Sequence, residues 1–284
     1  MSVRRAVLAG ALALILLFAC ATLPRGGLSV LPQVGLNAAW QGLAGGIDYA
    51  RITLPSPPLV IHALRIDLQT PGLGVIVTPG RGGSGMTSGR RVSSFAAEFG
   101  CVAAVNGGPF SPRLAVEGQA MRLVGLAVSR GVLVSRPDPR YAALLFLDDG
   151  RAQIVQQSAD TDLRHVTDAV GGFFIVLGEG RVVGRAAARE PRTVAGISRD
   201  GSRLYVFVAD GRRSGSVGLT EEEAGAWLLW LGARDGLCLD GGGSSALCIR
   251  RGDGAAKLVN VPVHVGIVGW ERVVGNCLGF VAPP

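Results

Sequence analysis

The chain has 284 residues, 28 basic and 21 acidic side chains, a net charge of +7 and 43 glycines. The basic residues are nearly all arginine, with Lys257 the single lysine, and they never cluster beyond pairs such as Arg90-Arg91 and Arg250-Arg251. That scatter argues against nucleic-acid binding, and three dispersed histidines without a CxxC pair argue against a structural zinc site.

In chain order, the first feature is Arg4 and Arg5 followed by an apolar stretch, 6–19, that meets Cys20. This is the layout of an export leader, and it is short for a bilayer span. Leu17-Phe18-Ala19-Cys20 resembles a bacterial lipoprotein cleavage box, although Phe18 stands where a smaller residue is usual. Residues 1–20 are therefore expected to be a signal peptide or lipoprotein signal, with Cys20 as the lipidated residue and the cell envelope as the destination. Plain cleavage near Ala19 or Ala21, and an uncleaved anchor, are the alternatives. Residues 21–57 mix Gly, Pro and small apolar residues without clear period and are read as a linker, with room for one short docking helix. The remainder, 58–284, is long enough for one domain with a substantial core.

Within that domain, short β-type runs recur at 59–68, 75–78, 102–105, 123–128, 141–147, 152–155, 170–177, 193–197, 203–208, 236–239, 246–249 and 273–281. Gly, Asp or Pro punctuates most of them. A short helix is expected from a Ser93 or Ser94 cap through Phe99, ending at Gly100. A clearer one begins at Thr220, where Thr220 and Glu223 fit a capping box. Ala224, Trp227, Leu228 and Leu231 follow at helical spacing, and Gly232 ends it. The expected class is α+β, or mixed α/β: a strand-rich single domain with a mixed sheet and a few packed helices.

Polar residues stand where these runs end. Asn106-Gly107-Gly108 follows one strand, Arg192 opens another, Asp210 and Arg212 close a third, and Asp240 with Gly241, Gly242, Gly243, Ser244 and Ser245 follows a fourth. Each alone reads as a turn. Together, as the ends of strands in one sheet, they would build a site on a rigid scaffold, with two carboxylates and an arginine suited to acid/base or nucleophilic work on an anionic substrate. Glu223 has its own explanation as a helix cap. Cys238 and Cys248 lie symmetrically about Gly243. If their strands pair as a hairpin, a disulfide would staple the glycine loop; otherwise both are small buried hydrophobes.

The constellation resembles the phosphodiester glycosidase family. The matching segments are AAVNGGPF (103–110), EPRTVAGISRDG (190–201), YVFVADGR (205–212), GLTEEEAGAWLL (218–229), LCLDGGGSSAL (237–247) and ERVVGNCLGF (271–280). One departure is Pro109, where the family commonly has Phe after the two glycines. The resemblance implies an exported hydrolase that cleaves the glycosidic bond of a sugar 1-phosphodiester, of N-acetylglucosamine type or a related envelope glycan. It implies catalytic roles for Asp240, Asp210 and Arg192. Substrate contacts would come from Asn106, Gly107, Gly108, Thr193, Arg212, Gly241, Gly242, Gly243, Ser244 and Ser245. No cofactor is required by it, while a divalent cation between Asp210 and Asp240 stays open. Two other readings compete: a non-catalytic glycan-binding envelope lipoprotein, and a phosphodiesterase that cuts the P–O bond.

Overall fold

A computed structural model describes residues 30–32, 36–185, 188–250 and 254–282. The segment read as a leader, with Cys20, lies outside the described residues. No helix among those described is long and apolar enough to cross a membrane.

The body is built from three antiparallel sheets that share one apolar core. The largest has eight strands, in the order Gln41–Ala44, Ile47–Pro55, Pro58–Asp67, Arg203–Ala209, Arg192–Ile197, Asp235–Cys238, Ile175–Gly178 and Arg181–Val182. A five-stranded sheet runs Val132–Ser135, Ala127–Ser129, Val166–Gly171, Ala142–Leu147 and Ala152–Gln156. A second five-stranded sheet runs Ala256–Leu258, Leu247–Arg250, Ala103–Asn106, Cys277–Val281 and Gly74–Val77.

Alternation along the strands explains the layering. In Arg203–Ala209, Leu204, Val206 and Val208 point into the core shared with the smaller sheets, which supply Leu144, Phe146, Val105 and Phe280. Tyr205, Phe207 and Ala209 point to the opposite face, where they meet Trp227 and Leu228. A strand buried on both faces reads as a nearly continuous apolar run, as this one does. The register brings distant segments together: Val208 opposes His62, and Phe280 opposes Val75.

Two helices complete the described fold. Helix α1, Val92–Glu98, covers the outer face of the second five-stranded sheet through Val92, Phe95 and Ala96. Its N-cap is Arg91 without a side-chain cap bond, so neither Ser93 nor Ser94 caps it. Instead, Glu271 accepts from the Ser93 backbone N–H at 2.8 Å and from its hydroxyl. Helix α2, Glu221–Leu231, carries the expected capping box at Thr220 and Glu223 and ends at Gly232 in the left-handed region. Loss of this cap in Thr220→Ala is expected to cost about 1 kcal/mol, read as a lowered urea midpoint.

The α+β, mixed α/β expectation is overturned. The chain is mostly β, every described strand pairing is antiparallel, and the two helices are of 7 and 11 residues. The two helices gave that expectation its α part; here they are short, and three sheets bury one another instead. The segment read as a linker also needs correction. Residues 41–55 form a hairpin that extends the large sheet, with Ile47, Ala50, Ile52 and Leu54 buried at alternating or near-alternating positions. Just upstream, Val30 is pinned to α2: its N–H donates to Glu223 at 2.8 Å, and its carbonyl accepts from Trp227 Nε1 at 2.8 Å.

The hairpin premise behind a Cys238–Cys248 disulfide fails too. Asp235–Cys238 lies in the large sheet and Leu247–Arg250 in the second five-stranded sheet, and the two thiols face different cores. Cys101, Cys238, Cys248 and Cys277 are all free and buried. Burial pushes the Cys238 and Cys248 thiols up to about 12, which keeps them protonated and inert.

Candidate active site

The glycine run from 241 to 243 is a crossover between sheets. The chain leaves the large sheet at Cys238, turns through a short 3-10 helix, Gly242–Ser244, and enters the second five-stranded sheet at Leu247. The crossover is fixed from below by Asn106, which is fully buried at the end of its strand. Asn106 Nδ2 donates to the Asp240 carbonyl at 2.6 Å, and its Oδ1 accepts from the Thr193 hydroxyl at 2.7 Å and the Ala246 N–H at 3.2 Å. Asn106 and Thr193 are thus bonded to each other and to backbone, and neither lines the cleft above. Asn106→Ala would leave the Thr193 hydroxyl, the Ala246 N–H and the Asp240 carbonyl without this partner, and it is expected to cost about 3 kcal/mol, measured by chemical denaturation.

Above the crossover opens a cleft of about 700 Å³. Its polar lining is Asp240, the glycine run, Arg113, Arg212, His264 and Arg272, and its apolar lining includes Phe110, Tyr141 and Phe173. The Asp240 side chain is 17% exposed. Its Oδ2 accepts from the Ser244 hydroxyl at 2.6 Å and lies 3.6 Å from Arg272 Nη1. Burial raises its pKa above the ordinary carboxylate range, against the pull of the Ser244 hydrogen bond and the Arg272 charge.

Arg272 is the best-anchored cation of the cleft. It donates to the Arg113 carbonyl from Nε at 3.0 Å and from Nη2 at 2.7 Å, and to Ser244 Oγ from Nη1 at 2.7 Å. Its guanidinium also stacks 4.6 Å above the Phe110 ring. His264 is held neutral more firmly than usual, by burial first and then by the charges of Arg272 and Arg212. It packs directly on the glycine run: a Cβ on Gly243 would fall 2.5 Å from His264 Nδ1. Gly108 is needed for a different contact, since a Cβ there would sit 1.9 Å from the Gly171 carbonyl oxygen where two sheets touch.

The expected site residues therefore divide. Asp240, Gly241, Gly242, Gly243 and Arg212 line the cleft, and Ser244 holds the Asp240 carboxylate from behind. Arg212 is paired with Glu190 at 2.5 Å. Asp210 is drawn elsewhere. It is 1% exposed, and its carboxylate accepts from Arg213 Nη2 at 2.6 Å and from the Val261 N–H at 2.9 Å. Arg192 donates to the carbonyls of Leu219 and Ala188 at 3.0 and 3.1 Å and does not line the cleft. Gly107, Gly108 and Ser245 are buried beneath it. Glu223 serves as cap, as clamp for Val30 and as partner of Arg189 at 2.7 Å.

The premise of one sheet accounts for much of this. Arg192, Asp210 and Asp240 do sit at one end of the large sheet, but Asn106 comes from a neighbouring sheet. A divalent cation between Asp210 and Asp240 does not suit the donors, because Asp210 is bonded to Arg213 and Val261 while Asp240 faces a guanidinium. Among the described residues, no group of three or more His, Cys, Asp or Glu is placed to hold a metal. Sequence reasoning passed over Arg272, His264, Phe110, Tyr141 and Phe173. Arg272 had the strongest signal, a charge at the head of the closing motif ERVVGNCLGF.

A largely buried carboxylate facing an anchored arginine between aromatic walls can hold a ring-bearing ligand and can move a proton at Asp240. The family model for phosphodiester glycosidase matches residues 99–281, and the chain belongs to that family. The fold is shared with several solved structures, among them these two. A hypothetical protein from Synechocystis aligns with a TM-score of 0.67 at 13% identity, over 88% of this chain and 64% of that one. The catalytic domain of zebrafish N-acetylglucosamine-1-phosphodiester alpha-N-acetylglucosaminidase, auto-inhibited by its pro-peptide, aligns with a TM-score of 0.62 at 20% identity, over 86% of this chain and 88% of that one. This chain thus spans 64% of the Synechocystis protein's length. A search of curated proteins gives no match.

Proposed function

We propose that the chain hydrolyses the glycosidic bond of a sugar 1-phosphodiester, releasing the sugar and a phosphomonoester. The observation that carries this is the Asp240–Arg272 pair: a carboxylate with a raised pKa and a fixed guanidinium 3.6 Å apart in one cleft. The sugar ring would lie among Phe110, Tyr141 and Phe173, with the phosphate toward Arg272 and Arg212. Attack at the anomeric carbon breaks the C1–O bond, and the electron pair leaves with the phosphate. A phosphomonoester is a far better leaving group than a sugar hydroxyl, so its departure relies on charge stabilisation by the arginines more than on a proton donor.

That division of labour suits a cleft with one carboxylate. Asp240 acts at the anomeric centre, as base toward water or as nucleophile, and its raised pKa makes it the stronger base. Asp210, bonded to Arg213 and Val261, is left out of the chemistry. The leader and Cys20 support placing this activity in the cell envelope, on an envelope glycan.

Turnover in ¹⁸O-labelled water tests the reaction. Label is expected in the sugar. Label in the phosphate would mean P–O cleavage by a phosphodiesterase, and absence of product would mean a glycan-binding protein.

A further inference from the structure

Exposed apolar side chains stand at the cleft mouth. Leu114, Val116, Val265, Ile267, Val268 and Trp270 are among the large apolar side chains that stand exposed; Leu114 and Val265 line the cleft itself, and the others follow closely in sequence. Val116 is 71% exposed and Trp270 is 43% exposed. Val265 to Val268 form the turn and second strand of a small hairpin whose first strand, Val263–His264, carries His264 into the site.

Beside the cleft runs a second groove of about 480 Å³, whose walls include Leu114, Val116, Trp270, Arg91 and Arg272. It joins the cleft directly, because Leu114, His264 and Arg272 line both. A path therefore leads from the sugar-sized pocket, past a guanidinium, onto an apolar shelf. Contiguous exposed apolar surface of this kind marks a binding site more often than it occurs by chance. The order of chemistry along the path, ring pocket, cation, apolar shelf, matches one kind of molecule.

We propose that the aglycone is a lipid: the substrate is a sugar joined through phosphate to a hydrocarbon chain. The sugar enters the cleft, the phosphate is met by Arg272, and the first carbons of the chain lie over Leu114, Val116 and Trp270. This rests on the glycosidase reading above, which it deepens by naming the aglycone. The shelf meets the phosphate at Arg272, so the charged and apolar parts of such a substrate are each complemented in register. A protein partner would need no such continuity with the cleft.

Calorimetric titration of the full chain with octyl phosphate and methyl phosphate tests this without requiring turnover. Octyl phosphate is expected to bind at least ten-fold more tightly than methyl phosphate, since each buried methylene favours binding. In Val116→Glu, which places a charge on an exposed position of the shelf, the octyl-to-methyl ratio is expected to fall several-fold. Uptake of octyl chains elsewhere, including by the apolar leader, is common to both proteins and drops out of that comparison. Equal ratios in the two proteins would overturn the proposal. So would equal binding of octyl glucoside and octyl phosphate, which would leave a hydrophobic patch without phosphate recognition. A chain dimer that octyl phosphate fails to dissociate would overturn it as well, by assigning the shelf to a second copy. Tight octyl phosphate binding without hydrolysis of any sugar phosphodiester would sink the glycosidase reading while upholding the lipid shelf.

Discussion

Replacing Asp240 with Asn is expected to lower kcat on a sugar 1-phosphodiester by about 10³-fold or more, the range for losing an essential acid/base group, and to leave the protein folded. The folded state should survive because two effects oppose each other. Burial raises the Asp240 pKa, so the folded chain holds this proton more tightly than the unfolded chain does. Such a group destabilises the fold at pH values above its raised pKa, and the penalty vanishes below the unfolded value near 4. Asn removes that penalty but strips Arg272 of a counter-charge 3.6 Å away. The net change in melting temperature is expected within roughly 5 °C, on the scale where 1 kcal/mol moves a domain of this size by 2–4 °C. The pH dependence gives a second reading. With Asp240 as base, kcat/KM of the native enzyme rises as pH passes upward through the raised pKa, and the limb is absent from any residual activity of the Asn variant. A folded variant with full activity would remove Asp240 from the mechanism.

The second large effect is expected at Arg272. Lysine keeps the charge but loses the planar fork, which here reaches the Arg113 carbonyl with two N–H groups and Ser244 with a third. It also loses the stacking on Phe110. Arg272→Lys should lower kcat/KM for a phosphodiester by about 10²–10³-fold, the usual range for deleting one transition-state donor. Affinity for the free sugar, measured as product inhibition, should change little. An equal loss for both would make Arg272 a scaffold residue. Arg192 gives the contrast: its guanidinium is bound to two backbone carbonyls away from the cleft, so Arg192→Lys should show no preference for phosphate-bearing ligands.

Much of the strand pattern was legible because β-type runs between Gly and Asp are a local signal. The runs at 193–197 and 203–208 lie wholly in strands, and those at 59–68 and 141–147 overrun theirs only at Leu68 and Tyr141. The capping box at Thr220 was legible for the same reason, since its two partners are three residues apart. What local pattern does not carry is which strands share a sheet. Long apolar runs such as 203–208 fit a buried parallel strand as well as an antiparallel one sandwiched between α2 and the smaller sheets. The hairpin at 41–55 was missed because Gly, Pro and charged residues on its exposed side mask the alternation.

The site was half legible for a related reason. Asp240 and its glycines announce a break in structure at one point of the chain. Asp210 and Asn106 sit in equally suggestive turns, yet their polar atoms are consumed by partners far away in sequence, such as Val261 and Ala246. Only the three-dimensional partner list separates a carboxylate in a cleft from one in a clamp. His264 was hidden for the opposite reason, since nothing near it in sequence announces a site; Arg272 stands in a motif, but its reach to Asp240 and Ser244 across the fold is not written there.

The register of the sheets also governs when this molecule can exist. Strand Pro58–Asp67 waits for Arg203–Ala209, and Gly74–Val77 waits for the still later Cys277–Val281. Pairings this remote in sequence close slowly. The large sheet has no complete centre until Arg203–Ala209 has been made, and the sheet beneath the cleft is finished only once Cys277–Val281 has followed. Until then its early strands remain open to wrong partners, including a neighbouring nascent chain. Folding and synthesis are thereby separated in time, and a chain of this topology reaches its native state as a whole rather than piece by piece.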